Sequence, residues 1–494
     1  MLSALAFALY LAASAGLLFY GLNCYVLLIL FSKKSKETRA RQLLTEERWE
    51  QEHPPGDFSN LPKITTQLPL YNEFNVAERA IRAIAAFDYP THLHQIQVLD
   101  DSDDETCALV DSVAEELLEK GIWIDVVRRK KRHGYKAGAL SDAMPTAHGE
   151  FIAIFDSDFV PEPDFLRNLI PHFSDQKTGL VQARWAHLNR KASLLTRAQS
   201  VGIDGHFAIE QTARSANHLF LNFNGTAGIW RRTTIEDAGG WTADTLTEDL
   251  DLSYRAQLKG WHLEYVPHVT APAELPETYS AFKSQQFRWA KGSIQTAQKL
   301  LPEIFRSDRP LFAKLQSVFH LCHYFAHPLM LVLALLALPA LHYLGGELHR
   351  IWLIVFAIPL IASTLGPTVL YTISQRHLYP TDWKSRVLLL PALVLVGFGI
   401  CISNTRAVLE AFLGIKSGFI RTPKRGSKVT KSYNPVANII PLLEIAAATY
   451  CAFTLFAYIR SGNFGIAPFL FLYIAGFALV GFSSLREQLH ARKA

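Results

Sequence analysis

The sequence predicts a two-part molecule: a soluble α/β domain on a mostly parallel, doubly wound sheet, inserted in a bundle of helices long enough to cross a bilayer. Three observations predict it. Charge-poor apolar runs stand at both ends of the chain. Between them, short β-branched or aliphatic runs alternate with helical periods, the pattern of strands joined by helical crossovers. Acidic clusters stand where two of those short runs stop. The 494 residues are 49% apolar and 19% charged, but the apolar residues are bunched, so the average conceals the division.

Composition narrows the function. Five cysteines (24, 107, 322, 401 and 451) form no CxxC pair, which argues against a disulfide framework or a zinc motif. The net charge of +5 is modest and comes with local basic clusters, which suit a membrane surface or an anionic substrate better than nucleic acid.

Residues 2–31 are almost unbroken apolar sequence, long enough for a spanning helix and about twice a secretory h-region. Lys33, Lys34 and Lys36 follow at once and place its C-terminal end in the cytoplasm. Residues 33–60 read as a charged helical linker. Strands are expected at 64–70, 95–99, 122–127, 151–155 and 179–183, with helices at 76–87 and 105–120. In such sheets ligands bind at the carboxyl ends of the strands. Beyond residue 314, near-spanning apolar runs cover about 317–344, 351–373, 387–405, 438–458 and 464–484. A basic stretch with Lys416, Arg421, Lys424, Arg425, Lys428 and Lys431 separates the third from the fourth. A cytosolic catalytic domain followed by three crossings would leave that stretch outside. Either the first run hides a bent or interfacial piece, or one run does not span.

Asp156-Ser157-Asp158 follows a wholly apolar run, so two carboxylates emerge together at a strand end. Such a pair suits a hard cation, Mg²⁺ or Mn²⁺, shared with a nucleotide diphosphate; a solvated turn is the competing reading. Asp100-Asp101 repeats the arrangement one strand earlier, where a carboxylate could accept from a base or a ribose, while Ser102 and Asp104 could instead cap the next helix. Lys136, between Gly134 and Gly138 at a helix start, suits a phosphate-approach loop. Glu248-Asp249 opens the helical pattern 250–258, where the helix dipole favours an ionised carboxylate. A positioned carboxylate can take the proton from an attacking sugar hydroxyl, and a single base predicts inversion; a capping pair is the alternative. Gln285, Arg288 and Trp289 share one helix side, offering a fork for diphosphate and a flat face for a sugar ring, or else an interfacial anchor.

Taken together these motifs resemble the processive membrane members of glycosyltransferase family 2, above all the plant cellulose-synthase-like A and C groups. The resemblance covers roughly residues 60–295: Gln67-Leu68-Pro69-Leu70-Tyr71-Asn72-Glu73, the run from Leu99 to Thr106, and Gly134-Tyr135-Lys136-Ala137-Gly138. It continues through Phe155-Asp156-Ser157-Asp158, Phe223-Asn224-Gly225-Thr226-Ala227-Gly228, Thr247-Glu248-Asp249-Leu250-Asp251 and Gln285-Gln286-Phe287-Arg288-Trp289. It implies a glycosyltransferase-A-type (Rossmann-like) cytosolic domain within an α-helical transmembrane bundle. Asp100, Asp101, Lys136 and Asp156 would bind the nucleotide sugar, and Asp156 and Asp158 the metal, Mg²⁺ or Mn²⁺. Asp249 would be the catalytic base. Asn224, Gly225, Thr226, Glu248, Gln285, Arg288 and Trp289 would bind the acceptor end and the diphosphate. The segment containing Thr422 and Lys424 is similar to the family's gating loop, but Arg421 stands where an aliphatic residue is usual.

The domain organisation expected is therefore a transmembrane helix at 1–32, a linker at 33–60, a catalytic domain at 61–300, and membrane or interfacial helices at 301–415. A basic cytosolic loop at 416–436, transmembrane helices at 437–485 and a tail at 486–494 follow. The expected activity is processive, inverting transfer of a sugar from a nucleotide-diphosphate donor to a β-linked polysaccharide threaded outward across the bilayer. GDP-mannose and UDP-glucose are the candidate donors, UDP-glucose being favoured, and the expected site is a bacterial inner membrane. The rivals are single-sugar transfer to a lipid and, more remotely, a nucleotide-regulated transporter.

Overall fold

The computed structural model describes residues 2–54, 60–343, 349–416, 426 and 438–491. Seven strands form one sheet: β1 (Ile64–Leu70), β2 (His94–Asp100), β3 (Ile124–Val127), β4 (Phe151–Ile154), β5 (Thr178–His187), β6 (Gly228–Arg231) and β7 (His262–Ala273). Their order is β3-β2-β1-β4-β6-β5-β7. The first four run parallel, β6 lies antiparallel between β4 and β5, and β7 pairs parallel with β5. The sheet is thus mostly parallel, and five strands lie where the aliphatic runs predict them. The pattern did not reveal β6, four residues inside a glycine-rich stretch, or β7, whose Pro267 and Pro272 argue against a strand.

The sheet is covered on both faces, as buried parallel strands require. On one face Leu68, Val98 and Phe155 pack with Ala77, Ile81, Ile84 and Val113 from the crossover helices. On the other, Ile152, Ile154 and Trp230 pack with Leu140, Leu252 and Tyr265. Polar residues inside the strands are paired across them: Thr65 Oγ1 donates to Gln95 Oε1 at 2.8 Å, and Gln67 Nε2 to Gln97 Oε1 at 3.0 Å. The register sets Leu70 opposite Asp100 and Gln67 opposite Ile154, so the chain leaves β1, β2 and β4 along one edge, and both acidic clusters lie on it.

The N-terminal helix runs unbroken from Leu2 to Glu52, about 75 Å, through the lysines and on to the sheet domain. Among the described residues, Ala4–Glu52, His323–Leu341, Ile440–Arg460 and Ala467–His490 are long and apolar enough to span a membrane. Trp383–Gly399 and Cys401–Phe412, bent by 46°, make a fifth if they count as one span. The expected run at 317–344 is indeed broken: helix Leu311–Leu321 ends at Cys322 and a new helix starts at Ala326. Leu311, Phe312 and Leu315 on the first of these helices are exposed. Helix His349–Leu378 crosses the N-terminal helix at Gly366 and Gly21, where a Cβ on Gly366 would meet the Gly21 carbonyl at 2.2 Å, so only small residues let the two backbones approach.

Candidate active site

The site forms where the edge at the end of β4 meets two helices, Glu248–Leu258 and Tyr279–Arg306. Gly225 in the preceding turn has φ +79°, a conformation that suits glycine, and a Cβ there would lie 2.8 Å from Asp249 Oδ2 and 3.5 Å from Lys136 Nζ. The Asp249 carboxylate is therefore held directly over the Gly225 backbone. Lys136, in the first turn of helix Tyr135–Ala143, donates to Asp156 Oδ1 at 2.5 Å and to the Gly225 carbonyl at 2.8 Å. Helix Glu248–Leu258 is locked in place from behind. The Leu246 amide donates to Gln295 Oε1 at 3.0 Å, and a Cβ on Gly292 would come within 2.6 Å of Thr247 Cγ2.

Charge is crowded here. Arg288 faces Glu248, Asp156, Asp249 and Asp158, and Lys136 faces Asp156, Glu248 and Asp249. Burial, then the Glu248 charge beside it, push Asp249 up to about 7 despite Lys136. Glu248 is raised as well, by burial first. The helix dipole was expected to keep Asp249 firmly ionised; burial and a like-charged neighbour outweigh it. On Lys136, burial pulls the ammonium's pKa down, but the carboxylates around it prevail and its pKa is raised. Four carboxylates against two cations is a donor set suited to a hard divalent cation, with Asp156 and Asp158 emerging together at the strand end. The residues present fit such an ion.

The remaining expected residues divide. Asn224 is fixed by Gln211, whose Nε2 donates to its Oδ1 at 2.6 Å, and lies 3.2 Å from His206 Nε2. Gln285 and Trp289 are half-buried on the helix that carries Arg288, and the Trp289 ring centroid is 6.4 Å from that of Trp185. Thr226 is fully buried, and its Oγ1 accepts from the Asp156 amide at 2.9 Å, so it sets the position of Asp156 rather than facing the pocket. Asp100 is buried against Arg128, whose Nε donates to Oδ2 at 2.9 Å, and its Oδ1 accepts from the Ser102 amide at 3.1 Å. Asp101 takes a two-point contact from Arg129, with Nε at 2.9 Å. Beside it Arg132 lies 3.4 Å from the centroid of the Tyr71 ring, leaving the outer edge of this end lined by an arginine and an aromatic face. Of the two capping candidates, Asp104 accepts from the Thr106 amide at 3.0 Å, whereas Ser102 Oγ accepts from the Asn72 amide at 2.9 Å. Thr422 and Lys424 lie outside the described residues.

Sequence reasoning missed several contributors. Ser157 Oγ donates to Glu73 Oε2, tying β4's acidic turn to the residue that precedes helix Phe74–Ala85. Gln182 Oε1 accepts from the Asn224 amide at 3.1 Å while its Nε2 reaches the Thr226 carbonyl at 3.1 Å. His206 and Gln211 bound a π-helical segment, a local widening often found at functional sites. The only sequence signal for them was polarity at positions where an apolar pattern would be expected.

Residues 62–292, the segment that builds the sheet and the site, match the family described as Glycosyltransferase like family 2. Among curated proteins the chain is similar to Glucomannan 4-beta-mannosyltransferase 2 of Arabidopsis thaliana, 43% identical over 261 residues, 52% of this chain and 49% of the relative. It is also similar to Probable glucomannan 4-beta-mannosyltransferase 7 of Oryza sativa subsp. japonica, 45% identical over 248 residues, 49% and 42% of the two chains. The chain spans about half the length of the curated relatives it matches. In fold it resembles the mannosyltransferase PcManGT from Pyrobaculum calidifontis, solved in complex with GDP-Man and Mn²⁺, with a TM-score of 0.53 and 19% identity, over 83% of this chain and 100% of that one. The plant origin of these curated relatives gives no support to the expected bacterial inner membrane.

Proposed function

We propose that the chain is an inverting hexosyltransferase that extends a β-linked polysaccharide from a nucleotide-diphosphate sugar. The observation that carries this reading is the Asp249 carboxylate held over Gly225, beside Lys136 and Asp156 at the end of β4. Asp249, ionised above its raised pKa, takes the proton from the acceptor hydroxyl as it attacks the anomeric carbon, and an intermediate pKa matches that task. Lys136 and Arg288 bring positive charge to the diphosphate, and Arg132 and Tyr71 offer a stacking edge for the nucleotide. Asp156 and Asp158 would hold a divalent cation, which when bound offsets charge on the departing diphosphate. Asn224, fixed by Gln211, and the Trp289 face line the acceptor side.

The names of the relatives move the donor preference from UDP-glucose to GDP-mannose. Processive extension and passage through the helices draw support from a file of polar side chains. His206 meets Asn224 at 3.2 Å, Asn222 meets His320 at 3.1 Å, His323 contacts the His320 carbonyl at 2.7 Å, and His327 meets Asn404 at 2.9 Å. Polar and ionisable groups inside a membrane bundle face its interior and mark substrate paths. The catalytic domain then faces the cytosol, with the bilayer holding the helical part.

The test is sugar incorporation by the purified chain in nanodiscs, comparing labelled GDP-mannose with UDP-glucose, with Mg²⁺ or Mn²⁺. Polymer from one donor, lost in Asp249→Asn and degraded by a linkage-specific glycanase, is the expected result. Label confined to lipid would replace the polymer reading with single-sugar transfer. Incorporation undiminished in Asp249→Asn would overturn the assignment of the base.

A further inference from the structure

Away from the donor site, three side chains from distant parts of the chain converge where the N-terminal helix lies against the catalytic domain. Glu46 comes from helix Leu2–Glu52, His172 from the turn Ile170–Phe173, and His268 from β7. Their ligand atoms all lie within 4.8 Å of one another. Glu46 Oε1 is 3.3 Å from His172 Nε2 and 3.0 Å from His268 Nε2.

Two features distinguish this cluster from an ordinary surface ion pair. The His172 side chain is 1% exposed, yet its Nε2, aimed into the cluster, makes no hydrogen bond of acceptable geometry among the described residues. Buried ring nitrogens are rarely left so. His268, in turn, is aimed by the backbone. The register between β5 and β7 slips from Ala183–Val266 to Arg184–Thr270, so Pro267, His268 and Val269 stand outside the ladder. Bulges of this kind redirect a side chain at a functional position. The second nitrogen of His172, Nδ1, lies 3.9 Å from Glu264 Oε1, which itself accepts from Gln42 Nε2 at 3.0 Å. A cation already occupies the position: Arg39 NH1 is 3.1 Å from both Glu46 Oε1 and His268 Nε2, and it donates to both. Against Arg39, which can only donate, His268 Nε2 accepts, whereas its approach to Glu46 Oε1 needs a proton on that nitrogen, so the tautomer follows the partner.

We propose that Glu46, His172 and His268 bind one divalent transition-metal ion of the Zn²⁺ type, which takes the place of the Arg39 guanidinium and clamps the N-terminal helix to the catalytic domain. Two imidazoles and one carboxylate form a borderline donor set that selects Zn²⁺ over Mg²⁺, whereas Asp156 and Asp158 offer only oxygen. The ligands lie on three distant elements of the chain, so binding ties together parts of the fold that the unfolded chain does not hold close, and it registers as stability. This proposal is independent of the sugar or acceptor the enzyme uses.

The experiment uses the full chain in nanodiscs, stripped with EDTA and kept in millimolar Mg²⁺ so that the oxygen site is filled. Co²⁺ serves as the probe because its d–d absorption reports nitrogen ligation. One equivalent of Co²⁺ with that absorption, displaced by Zn²⁺, is expected, together with a Zn²⁺-dependent rise in Tm. His268→Ala and Glu46→Gln should each weaken Co²⁺ binding at least tenfold and abolish the rise. His268 is exposed, so its loss should leave the metal-free Tm unchanged. Absence of Co²⁺ binding would overturn the proposal. So would binding that persists in His268→Ala and Glu46→Gln but disappears in Asp156→Asn/Asp158→Asn.

Discussion

Helix Tyr279–Arg306 carries buried charge on two sides, and the two are arranged in opposite ways. Toward the sheet, Arg288 faces four carboxylates, Asp156, Asp158, Glu248 and Asp249, and Lys136 faces three of them, Asp156, Glu248 and Asp249. Toward the apolar helices, each buried carboxylate is matched by cations: Glu444 by Lys283, and Glu410 by Lys291 and Arg406. Lys283 Nζ donates to both Glu444 oxygens at 3.0 and 2.9 Å, and Lys291 Nζ donates to Glu410 Oε2 at 2.9 Å. At its N-terminus Glu487 accepts from the Tyr279 and Ser280 amides at 2.8 and 2.9 Å, a carboxylate placed at the positive end of the helix dipole. The matched side is closed on itself and fixes the helix. The crowded side holds more negative charge than its own cations balance, which is how a site is left able to take up a cation and move a proton.

The largest effects should separate these roles. Asp249→Asn keeps shape and removes the base, so turnover should fall about 10²–10⁴-fold with thermal stability unchanged or slightly raised, since a like charge beside Glu248 is gone. Glu444→Ala should do the reverse: it strands the buried Lys283 ammonium and should cost about 3–5 kcal/mol, read as a lower midpoint of thermal inactivation. Lys283→Met with Glu444→Leu should recover most of that loss, because a matched pair replaced by apolar groups leaves nothing unpaired. Equal destabilisation by Asp249→Asn and Glu444→Ala would erase the distinction drawn here.

Much of the crowded side was legible in the sequence, and little of the matched side was. Asp156, Lys136, Gly225, Asp249 and Arg288 each stood in a polar motif that interrupted an apolar or helical pattern, and the fold brings them together. Lys283 and Glu444 are single charges 161 residues apart in the chain, so no local pattern pairs them, and the same holds for Lys291 and Glu410 at 119 residues. The same limit explains Thr226 and Asp100. Both sit in polar motifs at strand ends, but only packing shows that one holds the Asp156 amide and the other is bound by Arg128. Five strands announced themselves by aliphatic runs; β6 and β7 form because neighbours supply partners for backbone that local propensity would leave as loop.

A smaller effect probes how tightly the crowded side is built. Gly225→Ala forces a side chain into φ +79° and against Asp249 Oδ2. The left-handed conformation alone costs about 1–2 kcal/mol. If half or more of that strain falls on the carboxylate, turnover should drop about two- to thirtyfold with donor affinity little changed. A loss confined to stability would mean that Gly225 shapes the turn without placing the base.

The subtlest test is the pH profile, which reads the crowding directly. Asp249 accepts a proton only as carboxylate, and its pKa is raised to about 7, so kcat/KM should rise with pH through that value and fall about tenfold per unit below it. Burial is the larger cause and the Glu248 charge the second, so Glu248→Gln should move the midpoint down while leaving the burial contribution in place. Lys136→Met acts with the opposite sign: removing the nearby cation should move the midpoint up. The matched side predicts no such response, because substituting Lys291 or Glu410 changes groups that do not appear among the charges acting on Asp249. A midpoint that shifts with Glu248→Gln and Lys136→Met in opposite directions, and stays put with Glu410→Gln, would show that the two faces of one helix hold charge for different ends.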